Sequence, residues 1–593
     1  VFEIGHRGGL GRLGLLRRDD RTVPTPTVLF VHRASRPAPA FAEALLVEER
    51  VEDARWQVRV SGSLFASRPP ASPDDLPPGT GLPPSVGHVD VPPGAPAQGL
   101  ALVASEDDME SAKDAPAAFL ANGVTYLRHP RDFVDTMARI RERLGPAMAI
   151  GITGIATPSN LAVLVYAGLD LVDSSRAVLE SAQGRFLMSD GVWEGTDEAR
   201  AACGCTACHA GEDLRAHNER ALHRELLIVR THLAHGRLRE LAEKRVANDP
   251  WNTAVLRHLD LRHPAILEEY TSVSGGEMLA YSHESLTRPE VLRFRRRIRE
   301  RYGKPPSARV LLLLPCSARK PYSSSRSHRR FRDAILASLR PSVVHEVIVT
   351  SPLGLIPREL ERFYPARAYD IPVTGDWNRD EAAIVTEDLQ AFVAANRYDA
   401  VVAHLGAEAP IVAAAVPEAI LTSGDHPTAP DALAGLARTL AEVTSSFDRV
   451  PSGRRFSEEM TNVARFQFGD SGAKLVEGAT YHGRFPDVRV IRGGTQVASY
   501  TARGMLSLTL DGGSLLAASG AYAVEIEDFF PTGNVFAVGV TSATNDIRVG
   551  DDVVVHHQGD VRAVGTARMG WREMVDAERG EAVHVRHVAA PKT

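Results

Sequence analysis

The chain has 593 residues, which at about 150 residues per domain corresponds to about four domains. Hydrophobic residues make up 44% and charged residues 24%, a globular balance that excludes a largely disordered or collagen-like chain. The 68 basic and 74 acidic residues give a net charge of −6, which excludes a uniformly basic nucleic-acid coat but not a local basic face.

The chain begins VFEIGHRGGLGRLG, without a basic-then-apolar signal region, which points away from secretion. No apolar run approaches the roughly 18 residues of a membrane span. In chain order, Phe2-Glu3-Ile4 leads into a Gly-rich turn, and Thr27–His32 (TVLFVH) reads as a buried strand after Thr-Pro punctuation. Residues 69–96, dense in Pro, Gly, Ser and Asp, read as a long surface loop. Between residues 100 and 187 short apolar strands such as Ala149–Ile152 and Asp170–Val172 alternate with helical stretches, one expected over Ser159–Ala167. Regular βα alternation implies a parallel sheet or barrel, with chemistry at the C-terminal strand ends. A single helix is expected over Asn218–Glu243, from the spacing of Leu222, Leu226, Val229 and Leu233. A second α/β unit starts near Arg309: strand Val310–Leu314, a polar loop, helix Arg329–Leu339, strand Glu346–Thr350 and later strand Ala400–His404. Beyond Pro451 short alternating strands broken by Gly and Asp indicate small β-rich modules.

Three of the four cysteines, Cys203, Cys205 and Cys208, fall within six residues and are followed by His217. Three thiolates and an imidazole suit a closed, structural, tetrahedral zinc site, and a cluster of this kind implies a reduced, intracellular protein. His209 or His223 is an alternative fourth ligand. Cys316 lies in Pro315-Cys316-Ser317-Ala-Arg319-Lys320-Pro321-Tyr322-Ser323-Ser324-Ser325-Arg326-Ser327-His328, directly after a strand, where α/β sheets contact ligands. Ser327 is the expected N-cap of the next helix. Nearby Arg319 and Lys320, with the helix end, are expected to lower the Cys316 pKa. The plainer alternative is a polar loop around an inert cysteine. The arginines Arg562, Arg568, Arg579 and Arg586 near the C-terminus are candidate phosphate contacts, or else a solvated face.

The segments FEIGHRGGLGRLGLL and GIATPSNLAVLVYAGLDLVDSSRA, with the CxCxxC and the later His-Asn helix, resemble the archaeal type of tRNA-guanine transglycosylases. The resemblance implies an α/β fold with a TIM-barrel-like domain over residues 1–305, carrying a zinc subdomain at about 200–260. It aligns Asp173 with that family's nucleophile, although Asp173 reads equally well as a cap on the loop after a strand. The family's second acidic motif, Asp-Ser-Gly, has no match within residues 1–305; the nearest stretch there is Ser105-Glu-Asp-Asp-Met109.

The Cys316 motif resembles the signature PCSxxKPYxxSxSHxxF of the archaeosine synthase family, paralogues of the transglycosylases, and every fixed position is matched through Phe331. This implies a central α/β domain over 306–450 and a small α+β module over 451–518. Residues 519–593, with their Gly-Asp turns, resemble a PUA RNA-binding barrel. The implied activity is addition of an amine to the nitrile of the base preQ0 at position 15 of tRNA, forming an amidine. Free lysine, or else glutamine, is the donor, and a radical-SAM partner completes the conversion to archaeosine. Cys316 is then a candidate nucleophile, with Tyr322 or His328 moving protons. Alternatively Lys320 and Arg319 pair with the donor's carboxylate, with Ser317, Ser325 and Ser327 supplying hydroxyls. The implied setting is cytoplasmic and away from membranes, and a homodimer is compatible with it. Two rival readings are a working transglycosylase and a non-catalytic tRNA-binding scaffold.

Overall fold

The computed structural model describes residues 2–18, 21–49, 51–60, 86–88, 101–103, 106–113, 115, 117–120, 123–372 and 376–590. The chain forms two compact units, the first of residues 1–271 with 536–538 and 572–581, the second of the rest.

The first unit opens with a three-stranded antiparallel sheet of β1 (Phe2–Gly8), β2 (Gly11–Arg18) and β3 (Arg21–Thr25). An eight-stranded sheet follows, built from β4 (Thr27–His32), β5 (Ala44–Val47), β6 (Trp56–Val60), β7 (Val86–His88), β8 (Ala101–Val103), β9 (Ala117–Leu120), β10 (Ala149–Gly151) and β11 (Leu171–Asp173). Its spatial order is β7-β6-β5-β4-β11-β10-β9-β8, so β11, last in the chain, pairs in parallel with β4, the first, and β7 and β8 stand at the two ends. This is a TIM-barrel-like arrangement with two departures: β7 is antiparallel to β6, and among the described residues β7 and β8 do not pair. Most of the surface loop expected over 69–96 lies outside the described residues, but 86–88 form β7 and so belong to the sheet.

The period-2 alternation of β-strands sorts the barrel's apolar residues onto two faces. Leu29, Val31, Leu46, Phe119 and Leu171 form one core together with Phe2, Ile4, Leu16 and Val23 of the N-terminal sheet. Val28, Phe30, Leu45, Leu120 and Ile150 form a second core with the surrounding helices. Gly151 is required by this packing, because a Cβ there would lie 2.4 Å from the Phe119 ring.

Around the barrel lie α1 (Glu106–Ala112), α2 (Pro130–Leu144), α3 (Leu161–Tyr166) and α4 (Ser175–Ala182). The hairpin of β12 (Arg185–Met188) and β13 (Gly191–Glu194) then leads to α5 (Asp197–Ala202), α6 (Thr206–His209), α7 (Leu214–Ala234), α8 (Leu238–Val246), α9 (Pro250–Arg262) and α10 (Pro264–Glu269). Two expectations are corrected here. The helix expected over Ser159–Ala167 starts only at Leu161, because the Asn160 side chain accepts from the Thr157 N–H at 2.8 Å and holds a turn. The single helix expected over Asn218–Glu243 is two, α7 and α8, separated at Gly236, whose φ of +67° ends the helical run.

In the second unit β14 (Met278–Leu279) and α11 (Pro289–Arg301) precede a sheet of β15 (Val310–Pro315), β16 (Val344–Thr350), β17 (Gly354–Pro357), β19 (Ala400–Ala403) and β20 (Ile420–Leu421), with β18 (Tyr369–Asp370) pairing to β14. The order β17-β16-β15-β19-β20 is parallel except at β16–β17. Val310, Leu312 and Leu314 pack in one core with Phe331 and Ile335 of α12 (Arg326–Leu336). The same core takes in Leu436 and Leu440; α13 (Arg379–Ala395) and α14 (Ala409–Ala415) precede the helix α15 (Pro430–Thr444) that carries them. Helices then span Ser452–Phe468 and Asp470–Leu475 ahead of a four-stranded antiparallel sheet over residues 480–508. The C-terminal module pairs Ala523–Ile526 in parallel with Asp552–His557, and Asp552–His557 antiparallel with Asp560–Ala567. No described helix is long and apolar enough to cross a membrane.

Candidate active site and metal centre

Parallel strands open all their C-terminal ends on one edge, and ligands bind there at the point where strand order reverses. In this sheet the chain passes from β15 to β16 on one side and then to β19 on the other, so the reversal falls between β15 and β19. Cys316 follows β15 directly, and Glu408 ends the loop after β19 at the start of α14. Both line a pocket of about 340 Å³, together with Ser351 beyond β16, His283, Asp376 and Glu381.

Cys316 is half-buried. Its thiol is pushed up, first by burial and then by the Glu408 carboxylate, against the opposing Lys320 ammonium and a hydrogen bond from Thr350. This reverses the sequence expectation of a lowered pKa. The cations are nearby as read, but the withdrawal of the sulfur from water outweighs them. Burial also raises Glu408 and lowers Lys320, whose Nζ sits 4.0 Å above the Tyr369 ring. Arg319 is exposed and Ser317 half-buried.

The rest of the motif builds the loop. Ser325, not Ser327, caps α12: its hydroxyl accepts from the His328 N–H at 3.2 Å and lies 3.1 Å from the Ser327 Oγ. His328 is buried, with Nε2 donating to the Pro315 carbonyl at 3.0 Å and Nδ1 accepting from Arg358 at 2.8 Å. It therefore anchors the residue before Cys316, and both ring nitrogens are occupied. Burial, then the Arg358 charge, lowers its pKa to about 3. Tyr322 is wholly buried, hydroxyl to hydroxyl with Tyr369, which in turn reaches Thr350 at 2.5 Å. Burial raises the Tyr322 phenol far above its ordinary range, so it is a neutral strut of the loop.

A pH prediction follows from His328. Because its folded pKa lies below its unfolded value, unfolding takes up a proton between about pH 4 and 6, and the stability it contributes is lost as pH falls. His328→Asn will remove about 1.4 kcal/mol per pH unit of that slope, measured by urea unfolding across this range.

Asp173 at the end of β11 is fully buried, with one oxygen accepting from the Gly154 N–H at 2.7 Å and the other from the Ser175 N–H at 3.3 Å. Burial raises its pKa to about 6. The side chain ties together the loops after β10 and β11, the arrangement of a loop cap.

The thiols of Cys203, Cys205 and Cys208 and the His217 ring offer ligand atoms all within 4.8 Å of one another. Cys203 ends α5, Cys205 caps α6 by accepting from the Cys208 N–H at 3.4 Å, and His217 lies in the first turn of α7. His217 Nδ1 stands 3.6, 3.4 and 3.4 Å from the three sulfurs, while Nε2 donates to the Leu187 carbonyl at 3.0 Å. That outer bond leaves the Nδ1 lone pair facing the thiols, as a metal ligand requires. Phe186 stacks on the ring at 3.6 Å, and Asn218 holds the same hairpin through the Leu187 N–H and the Arg185 carbonyl. The four residues can therefore hold a metal ion. Of the alternative fourth ligands, His223 stacks on Phe41 at 4.5 Å and His209 is exposed, both outside the cluster.

In the C-terminal module Arg562 and Arg586, two of the expected phosphate contacts, make internal ion pairs. Arg562 pairs with Asp528 at 3.0 Å and stacks on Phe530, and Arg586 pairs with both oxygens of Asp552. Arg568 and Arg579 are exposed. Sequence reasoning missed Glu408 and Glu381. The signal for Glu408 was its place after a parallel strand, the same rule that drew attention to Cys316.

Comparison with known proteins places these sites in context. A domain of unknown function (DUF5591) matches residues 291–440 and a PUA domain matches residues 526–589. The archaeosine synthase of Haloferax volcanii is 36% identical over 99% of each chain. The archaeosine synthase subunit alpha of Methanosarcina acetivorans is 37% identical over 78% of each. A tRNA-guanine(15) transglycosylase of Methanobrevibacter smithii is 26% identical over 77% of this chain and 69% of its own. With near full-length coverage at this identity, the chain belongs to the archaeosine synthase family.

Proposed function

We propose that the protein modifies tRNA in archaeosine biosynthesis by adding an amino-acid amine, lysine in the favoured reading and glutamine otherwise, to the nitrile of preQ0 at position 15. The observation that carries this reading is Cys316 at the reversal point of the central sheet, in a pocket with carboxylates on its wall. A thiol that adds to a nitrile gives a thioimidate, and an amine then displaces the sulfur to leave an amidine. His328, Tyr322 and Ser325 position the loop that carries Cys316. Lys320, beside Cys316, and the exposed Arg319 supply positive charge for the donor's carboxylate, and Ser317 and Ser327 add hydroxyls. A radical-SAM partner acts on the amidine afterwards, and the setting is cytoplasmic. Zinc suits the Cys203, Cys205, Cys208 and His217 donors and supplies structural cross-linking only.

The test is to incubate the pure protein with preQ0-containing tRNA and either lysine or glutamine, then weigh the released nucleosides. A lysine-mass adduct is the expected result, and no mass change with either donor sinks the reading. Exchange of labelled guanine into unmodified tRNA, expected to be absent, would support transglycosylation instead. The buried carboxylate of Asp173 and the lack of an Asp-Ser-Gly motif within residues 1–305 favour its absence.

For RNA contact Arg568 and Arg579 are the better candidates of the four arginines because their side chains are the exposed ones. Alanine at either is expected to weaken tRNA binding and reduce the salt slope of log K by about one. Alanine at Arg586 will instead destabilise the module, because Asp552 is left buried without its partner. Filter binding across a salt series and thermal melting separate the two effects.

A further inference from the structure

We propose that Glu408 is the catalytic acid–base group that carries the proton between Cys316 and the reacting nitrogens. The inference rests on the reading of Cys316 as a nucleophile toward the nitrile. Three observations converge on this residue. Glu408 faces the pocket from the loop after β19, across the crevice from Cys316 at the end of β15, so one cavity serves both side chains. It is only 9% exposed, which withdraws its carboxylate from competing water. Its charge is felt directly at the Cys316 sulfur, second only to burial in holding the proton on the thiol.

A thiol held protonated needs a base, and His328, Glu381 and Lys320 are otherwise committed. The ring nitrogens of His328 are bonded to Pro315 and Arg358. The two oxygens of Glu381 accept from the Ser351 hydroxyl and the Asn378 N–H, where Glu381 closes the capping box of α13. Lys320 lies against the Tyr369 ring. The Glu408 carboxylate is met by backbone N–H groups of its own turn, at Gly406 and at Glu408 itself.

The chemistry balances with this one group. The Glu408 carboxylate takes the thiol proton as the S–C bond forms and one π bond of the nitrile opens, and it returns that proton to the nitrile nitrogen. The product is a thioimidate, with Glu408 again ionised. The incoming amine then forms its C–N bond and passes a proton to Glu408. The C–S bond breaks, and the departing sulfur takes the proton back, which regenerates thiol and carboxylate. No electrons leave or enter.

The test uses the full chain with preQ0-containing tRNA, with and without lysine and glutamine. In Glu408→Gln, which keeps the shape and loses the base, amidine formation and accumulation of the Cys316 adduct are both expected to slow at least about a hundredfold. Melting temperature and tRNA affinity are expected to match the wild type, and Glu408→Asp is expected to recover part of the rate. A Glu408→Gln rate within tenfold of wild type overturns the proposal. Turnover retained in Cys316→Ser would overturn the underlying nucleophile, whatever the Glu408 variants do. The two failures are therefore told apart.

Discussion

Under the proposed reaction, alanine at Cys316 will abolish amidine formation, with a fall of about a thousandfold or more in kcat and little change in affinity for tRNA. Removing a covalent nucleophile eliminates the path through the intermediate, whereas tRNA affinity is dominated by phosphate contacts. Mass spectrometry of released nucleosides gives the rate, and filter binding gives the affinity. Retention of full turnover would reduce Cys316 to a residue of the binding loop. The raised thiol adds a second measurable consequence. A thiol above the ordinary cysteine range carries less thiolate at pH 7, so iodoacetamide will label the Cys316 peptide more slowly than a free cysteine. Its labelling rate will go on rising with pH past the point where an ordinary cysteine levels off. Fast labelling that is flat above pH 7 would contradict the environment described here.

The parallel strands were legible because they are short, buried apolar runs, such as Thr27–Val31 in the barrel-like sheet and Val310–Leu314 in the central sheet, and burial on both faces leaves that imprint in the sequence. The Cys203, Cys205, Cys208 and His217 cluster was legible because one loop supplies three of its four members. What escaped depends on contacts between distant segments. Glu408 is a lone acid 92 positions beyond Cys316, and only the parallel register of β15 and β19 brings both to one edge. The sign of the Cys316 shift was misread because Lys320 and Arg319 are visible in sequence and burial is not. Ser325 and Ser327 both suit an N-cap, and the turn from Pro321 to Ser325 decides between them, with the Ser325 N–H donating to the Tyr322 carbonyl. Arg562 and Arg586 read as basic surface because their partners, Asp528 and Asp552, lie more than thirty residues away.

On the proposed zinc reading, removing the metal from the Cys203, Cys205, Cys208 and His217 cluster is expected to have the largest effect on stability. The ligands come from α5, α6 and α7, elements of six, four and twenty-one residues, and neither α5 nor α6 is long enough to hold a helix by itself. Of the three thiol-bearing residues none is buried, so little apolar burial fixes the loop, and its order depends on the cross-link. Structural zinc contributes on the order of 10 kcal/mol to such a site, of which the folded scaffold around it retains only part when the ion leaves. Cys205→Ser, or treatment with a strong chelator, will lower the melting temperature by about 10 °C or more. Hydrogen exchange will speed up first over residues 185–217, where the His217 bond to the Leu187 carbonyl ties the hairpin to the cluster. Metal analysis should find one zinc per chain in the purified protein, and its return should restore the melting temperature. Cobalt in its place should give the absorption of a four-coordinate site with three sulfurs and one nitrogen. A chain that carries no metal and melts unchanged after Cys205→Ser would make the cluster three ordinary thiols beside a histidine, and the ordering of α5 and α6 would then need another cause.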